Sequence, residues 1–367
     1  MSFENCLPWG WNDLLESFYV EHCSASRSVL VEPARVISDS HQIYGVFLPR
    51  LGVEFRARVS GKFAHATAAR EDFPAVGDWV CVEGMADGDK RITHVLPRKS
   101  CLKRKAAGDR AELQVFAAQI DEVWVVTSCN QDLSPERLER ALVLASESAA
   151  RVRILISKSD LAEPGQLAPI IQDLEDRLVG IPVQSFSTKT GQGVAELKAL
   201  LKPAETYIVI GSSGVGKSTL LNELLGGEVL RVQESRTQDD KGRHTTTGRS
   251  LHRLPSGAML IDTPGTRELQ LFASPEALEE SFSDISDLAL GCKFSDCRHE
   301  TESHCAVKRA LETGVLSEER WQNYLKLGRE MAFQQRRKDK GVQSVDKKHW
   351  AKMSRDAALR ARIKGRS

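Results

Sequence analysis

The period of the hydrophobic positions changes several times along the chain, and each change predicts a different architecture. Over residues 1–33, Trp9, Trp11, Leu14, Leu15, Phe18 and Tyr19 fall at the spacing of a short amphipathic helix. An N-terminal extension packed on a neighbouring element is expected there, without chemistry of its own. Over 34–105 the text becomes short β-rich runs, at 34–37, 44–48, 53–59, 78–82 and 91–96, separated by turn residues. Strands of this length and spacing predict a small OB-type β-barrel. Over 115–275 apolar strand runs (122–127, 152–156, 181–185, 207–210, 249–254, 258–261) alternate with helical periods (135–149, 167–178, 194–201, 219–225). That alternation predicts a doubly wound α/β domain whose ligands bind at the carboxyl ends of the strands. Residues 276–335 read as mainly helical, with helices over 306–312 and 318–331 turning Trp321, Tyr324, Leu325 and Leu327 inward. A basic tail, 336–367, follows.

Composition narrows the class. In 367 residues with 41% hydrophobic content, more than one core is expected, and the α/β core is expected to be separate from that of the helical region. Lys+Arg 51 against Asp+Glu 50 leaves a formal charge of +1, so affinity for nucleic acid must come from local clusters. No run of 18 apolar residues occurs, and the N-terminus lacks a basic region followed by an apolar one. A soluble, cytoplasmic, monomeric protein without a membrane partner is expected. Of eight cysteines, Cys6, Cys23, Cys81, Cys101 and Cys129 are scattered, while Cys292, Cys297 and Cys305 cluster beside histidines. This pattern predicts reduced thiols and a metal site in place of a disulfide framework.

The candidate chemistry centres on the strand at 207–210, which runs into Gly211-Ser212-Ser213-Gly214-Val215-Gly216-Lys217-Ser218 and a helix opening at Thr219. The glycines let successive N–H groups converge on a phosphate, and the helix N-terminus adds its positive end. Lys217 reaches the β/γ-phosphates and the Ser218 hydroxyl ligates Mg²⁺. The pattern is that of a P-loop. Two strands earlier, Ser157-Lys158-Ser159-Asp160 follows the run at 152–156. It is similar to the Asn-Lys-x-Asp motif by which an Asp carboxylate accepts from guanine N1–H and the exocyclic amine, with the Lys stem covering the base. Ser187-Thr188-Lys189, after the next strand, is similar to the loop that closes over guanine. Leu260-Ile261-Asp262-Thr263-Pro264-Gly265 delivers Asp262 to the Mg²⁺ shell and the Gly265 N–H to the γ-phosphate. The polar, aperiodic stretch 238–247 has the character of a switch, in which Thr245 or Thr246 completes the metal shell.

The order is unusual, because Asp160 and Lys189 precede Gly211: every motif is present, circularly permuted. Further along, Cys292, Cys297, His299 and Cys305 supply three thiolates and an imidazole, the ligand set of a closed structural Zn²⁺ site, with His304 a bystander or minor alternative. Arg56, Arg58, Lys62, Phe63 and His65 form one basic-aromatic group on the barrel, and Arg98, Lys99, Lys103, Arg104 and Lys105 another. Such groups suit RNA, and they also occur on ordinary barrel surfaces. The basic tail is read as a phosphate-binding segment.

The permuted order, the run Gly242-Arg243-His244-Thr245-Thr246-Thr247, the zinc segment, and a barrel carrying Val76-Gly77-Asp78 and Arg98-Lys99-Ser100 together resemble the ribosome small-subunit-dependent GTPase family, RsgA, also called YjeQ or EngC. The resemblance spans roughly residues 34 to 330. It implies a GTPase that joins the late assembling small ribosomal subunit and its rRNA, assists maturation and leaves upon hydrolysis. Ser157 departs from the usual Asn or Thr. Thr266 stands where a water-orienting Gln often follows the glycine, so a slow intrinsic rate is expected. Lys217, Gly265 and His244 form the candidate catalytic set, with Arg243 and Arg267 behind them and with His244 equally readable as an RNA or loop contact. Two other readings stand beside this one: an ATP-dependent P-loop kinase or ATPase, and an RNA-binding protein that keeps GTP as a structural ligand.

Overall fold

The structure is a computed structural model that describes residues 2–23, 30–40, 43–67, 69–85, 88–105, 113–129, 133–178, 180–212, 214–227, 249–262, 275–332 and 336. The chain opens with helix α1 (Asp13–His22), whose N-cap Asn12 accepts from the Leu15 N–H at 3.1 Å. Its inner face sets Leu15 and Tyr19, with Trp11, against Trp79, Cys81 and Leu96 of the barrel. Tyr19 donates its hydroxyl to the Val31 carbonyl at 2.6 Å. A disulfide joins Cys23, at the end of this helix, to Cys81. The expectation of scattered reduced thiols therefore fails for this pair, because the helix folds back over a strand 58 residues away.

The barrel comprises β1 (Val31–Ser40), β2 (Ile43–Leu48), β3 (Val53–Val59), the short helix α2 (Gly61–Ala66), β4 (Trp79–Gly84) and β5 (Lys90–Val95). β1 pairs with both β2 and β4, and β3 pairs in parallel with β5, which closes the five strands. Alternate residues fill the interior: Ala34 and Val36, Tyr44, Val46 and Leu48, Ala57, Val80 and Val82, and Ile92. The alternation that predicted these strands is the alternation that packs them.

A two-stranded hairpin, β6 (Cys101–Lys105) and β7 (Leu113–Ala118), follows and was not predicted. It changes the reading of the second basic group. Arg98 is held by Asp78 through two bonds (Nε to Oδ1 2.8 Å, Nη2 to Oδ2 2.7 Å) and donates further to the carbonyls of Glu71 and Phe73. Lys99 pairs with Asp121 at 2.5 Å and Lys103 with Glu71 at 3.3 Å. Lys99 welds the end of the barrel to the next domain, whereas Arg98 and Lys103 bind barrel residues, so Arg98 is not available to a nucleic acid. Gly77 belongs to the same weld: at φ +93 a Cβ would stand 2.2 Å from the Ala118 carbonyl oxygen.

The α/β region runs β8 (Glu122–Ser128), α3 (Pro135–Ser146), β9 (Arg151–Ser157), α4 (Leu167–Arg177), β10 (Val183–Ser185), α5 (Val194–Leu200), β11 (Thr206–Gly211), α6 (Lys217–Leu225), β12 (Arg249–Arg253) and β13 (Met259–Asp262). The sheet order is β10-β9-β8-β11-β13-β12, parallel except for β12. Beyond β12 the sheet does not end. β12 also pairs antiparallel with β1, Ser38 opposite Ser250 and Asp39 opposite Arg249, so barrel and α/β strands form one eleven-stranded sheet. A bulge between Val36 and Ser38 lets β1, longer than the run at 34–37 suggested, leave the barrel and meet β12. Beneath this seam the buried Arg35 donates to the Trp9 carbonyl at 2.8 Å and to the Thr206 hydroxyl at 3.0 Å. Burial lowers its pKa to about 10, against the pull of Asp121 and Asp78.

The C-terminal part contains α7 (Pro275–Ser281) and α8 (Ser283–Leu290), which were not anticipated, then α9 (Ala306–Glu312) and α10 (318–332). Its core is not separate. One apolar cluster runs from Val123, Val125, Ile154 and Ile208 through Leu138 and Leu142 of α3 to Phe282, Ile285, Val307, Trp321 and Leu327. At the contact, Arg320 (8% exposed) bonds Glu139 (6% exposed) at 2.6 Å and Asp284 at 2.6 Å, and lies over the Phe282 ring. Asn323 donates to the second oxygen of Glu139, and Arg140 pairs with Glu330.

Arg320→Met leaves Glu139 buried and short of a charge partner, which costs about 3–5 kcal/mol in comparable buried pairs. Urea denaturation followed by tryptophan fluorescence should show that loss. Adding Glu139→Leu should recover most of it, and a single variant within about 0.5 kcal/mol of the parent contradicts the assignment, since surface substitutions lie in that range.

Candidate functional site

The carboxyl ends of β9, β10, β11 and β13 lie along one edge of the sheet, as the register of those parallel strands dictates. At β11 the chain turns at Gly211, φ +152, where a Cβ would stand 2.2 Å from the Val126 carbonyl oxygen of β8. Only glycine lets the P-loop leave the sheet so close to its neighbour. Gly216 caps α6 in the left-handed region, φ 93. Lys217, the first residue of α6, directs its ammonium into the loop, donating to the carbonyls of Gly211 at 2.9 Å and Ser212 at 2.6 Å. Ser218 and Thr219 follow on the first turn, partly exposed.

The base-reading loop is fastened to this P-loop. Ser157 is buried, its hydroxyl 2.9 Å from the Thr127 carbonyl and 2.6 Å from the Val215 carbonyl, one proton serving either acceptor. Lys158 adopts φ 56 and its ammonium donates to the Gly214 carbonyl at 2.8 Å. Sequence reasoning placed both residues at the base and missed the tie, because its acceptors are backbone carbonyls that carry no sequence signal. The serine in place of Asn or Thr thus keeps an anchor to the loop beside it.

Asp160 is met from the opposite side. Ser187, itself fully buried, donates its hydroxyl to Asp160 Oδ1 at 2.6 Å, and Lys189 Nζ stands 3.6 Å from Oδ2. The Ser187 bond foremost, helped by the backbone N–H and Lys189, holds the Asp160 carboxyl below its usual range against desolvation. An ionised carboxylate with free lone pairs at pH 7 is what an acceptor for two guanine N–H groups requires. Thr188 forms the turn between Ser187 and Lys189.

Asp262 closes β13 beside β11, in the register that pairs Ile208 with Ile261. With Ser218 it offers a carboxylate and a hydroxyl, hard oxygen donors that fit Mg²⁺. Ser213, Thr245, Thr246, His244 and Gly265, with the stretch 238–247 and residues 337–367 of the basic tail, lie outside the described residues.

A second candidate centre lies in the C-terminal helices. The ligand atoms of Cys292, Cys297, His299 and Cys305 all fall within 4.8 Å of one another. Cys292 Sγ is 3.8 Å from Cys305 Sγ and 3.6 Å from His299 Nδ1, and His299 Nδ1 is 3.3 Å from Cys305 Sγ. A tetrahedron with Zn–S bonds of about 2.3 Å has S···S edges of about 3.8 Å, so the donor set fits zinc. Backbone N–H groups already point at the sulfurs, Ala306 to Cys292 and Lys308 to Cys305, each at 3.4 Å. Burial would raise the Cys292 thiol, but the N–H groups of Ala306 and Val307 and the neighbouring thiols bring it below the ordinary value. His304 is not among the converging atoms.

Among the described residues no helix is long and apolar enough to cross a membrane. The RsgA GTPase family model matches residues 95–272. A relative from Oceanobacillus iheyensis, named small ribosomal subunit biogenesis GTPase RsgA 1, is 42% identical over 323 residues, covering 88% of this chain and 91% of its own. A Methanosarcina acetivorans protein, named small ribosomal subunit biogenesis GTPase RsgA, is 40% identical over 347 residues, 94% of this chain and 90% of its own. Among solved structures, YjeQ from Thermotoga maritima superposes with a TM-score of 0.63 at 30% identity, covering 83% of this chain and 99% of that one. YloQ, described as a circularly permuted GTPase, gives 0.60 at 25%, covering 84% and 97%. With relatives at 40% identity or more along most of its length and the family model over its α/β region, the chain belongs to the RsgA family of GTPases.

Proposed function

We propose that this GTPase acts on the small ribosomal subunit, joining it late in assembly, assisting its maturation and leaving when GTP is hydrolysed. The observation that carries this reading is the fastening of the base-reading loop to the P-loop through Ser157 and Lys158, in a chain whose relatives are named for small-subunit biogenesis. Two loops tied together present base and phosphates of one nucleotide at a fixed separation, and a guanine-reading carboxylate at one end selects GTP over ATP.

In this reading the P-loop N–H groups from Gly211 to Thr219 hold the phosphates, and Lys217 exchanges its carbonyl partners for phosphate oxygens. Asp160 accepts from guanine, Lys158 covers the base, and Ser187, Thr188 and Lys189 close over it. Ser218, Asp262 and Thr245 or Thr246 would hold Mg²⁺, which when bound neutralises charge on the β- and γ-phosphate oxygens. The Gly265 N–H meets the γ-phosphate and His244 positions the attacking water once the partner orders the switch. Cys292, Cys297, His299 and Cys305 would hold one structural Zn²⁺. Arg56, Arg58, Lys62 and His65, exposed on the barrel, and the tail 336–367 supply contacts to rRNA phosphates. The protein works as a cytoplasmic monomer.

Asp160→Asn should weaken GTP binding and improve xanthosine triphosphate binding, because the amide donates to the carbonyl that replaces guanine's amine. Fluorescent-nucleotide competition reads the ratio, and an unchanged ratio removes Asp160 from base recognition. Small subunits should bind more tightly with a non-hydrolysable GTP analogue than with GDP, by about 1–3 kcal/mol. Sedimentation binding tests this, and equal affinity in both states contradicts a nucleotide-switched partner.

Metal analysis should find one zinc per chain. Because the thiolate-bearing segment shares the apolar cluster of α3 and the central strands, Cys297→Ser should lower the melting temperature of nucleotide binding as well as that of the helical part. Loss of zinc with nucleotide binding melting at the parent temperature contradicts the shared core.

A further inference from the structure

Cys23 and Cys81 are the two thiols of the described residues that meet outside the zinc cluster. Cys23 ends α1, Cys81 lies in the middle of β4, and both are buried at the contact between helix and barrel. His94, exposed on β5, stands directly across the strand pair from Cys81, and its ring joins both sulfurs within 4.8 Å. Cys6, Cys101 and Cys129 have no cysteine partner.

We propose that Cys23 and Cys81 form a reversible redox clasp, closed and opened by exchange with a small-molecule disulfide of the glutathione class, that fastens the N-terminal segment to the barrel. The helix packs on the barrel through Leu15, Tyr19 and Trp11 and bonds Val31 through the Tyr19 hydroxyl, and local opening of that contact brings Cys23, at the helix end, to solvent. The Cys23 thiolate attacks the small-molecule disulfide, forming a mixed disulfide and releasing one small thiolate. As the helix settles, the Cys81 thiolate attacks the Cys23 sulfur, forming the protein disulfide and releasing the second small thiolate. Two protein thiols are oxidised and one small disulfide is reduced to two thiols, so the electrons balance. His94, across the strand pair from Cys81 and with its ring within 4.8 Å of both sulfurs, is placed to take the Cys81 proton.

Closing the clasp has a structural consequence. β4 pairs with β1, and β1 carries both the Arg35 bond to Trp9 and the pairing with β12. The disulfide therefore fixes the segment that crosses the barrel–GTPase seam, without touching the nucleotide loops.

The test uses the full-length, zinc-loaded protein, equilibrated at a series of reduced-to-oxidised glutathione ratios, acid-quenched and alkylated. Mass spectrometry should show Cys23 and Cys81 lost together as one linked peptide with a single midpoint, at constant zinc content. Hydrogen exchange of α1 should slow at least tenfold on closure, with basal GTP turnover unchanged. Cys23→Ser should abolish the linked peptide and the slowing, while Cys6→Ser should leave both intact. Alkylation of both cysteines at the most oxidising ratio overturns the proposal. So does a bond that survives excess reduced glutathione, a glutathione adduct on Cys23 that is never resolved, or a second zinc bound at Cys23, Cys81 and His94.

Discussion

β12 is hydrogen-bonded along both edges, to β13 on one side and to β1 on the other, and the arrangement of the whole molecule depends on that double pairing. A strand with neighbours on both sides cannot shift register without turning its side chains to the wrong face. The barrel is therefore held in a fixed attitude to the nucleotide-binding sheet. Arg35 beneath the seam holds the same interface through Thr206 and is buried enough that losing its partner leaves a donor without water.

The same strand begins at Arg249, just after the stretch 238–247 in sequence, and β13 ends at Asp262. β12 is the strand that the barrel shares, and β13 is its neighbour. On the opposite flank, α3 follows β8, which carries the Thr127 anchor of Ser157, and packs on the C-terminal helices, joined by Glu139 and Arg320. Circular permutation makes this possible. With the segments 157–160 and 187–189 first in the chain, β11 follows them and precedes β12 and β13, and the barrel attaches at β12 while the C-terminal helices attach at α3.

Much of this was legible in the residues. The barrel strands alternate, and an interior of Val36, Val46, Val80 and Ile92 follows directly from period two. The P-loop, Asp160, Ser187 and the cysteine cluster announce themselves because their chemistry requires particular side chains at particular spacings. What stayed hidden is contact between segments distant in sequence. No local signal says that β1 outruns its barrel to meet β12, that Ser157 and Lys158 reach backbone carbonyls, or that Arg320 is buried against Glu139 181 residues away. Arg98 shows the same limit from the other side: as a residue in a basic run it suggested a free surface, and only the fold shows Asp78 occupying it. Cys23 and Cys81 looked scattered for the same reason.

An enzyme driven by its partner differs from a protein that keeps GTP as a structural ligand in one observable, multiple turnover. GTP hydrolysis measured under steady-state conditions, with and without purified small ribosomal subunits, tests this most directly. The account predicts slow turnover alone and at least a tenfold increase with subunits, abolished by Lys217→Ala. Equal rates with and without subunits, or stimulation that survives Lys217→Ala, contradicts it.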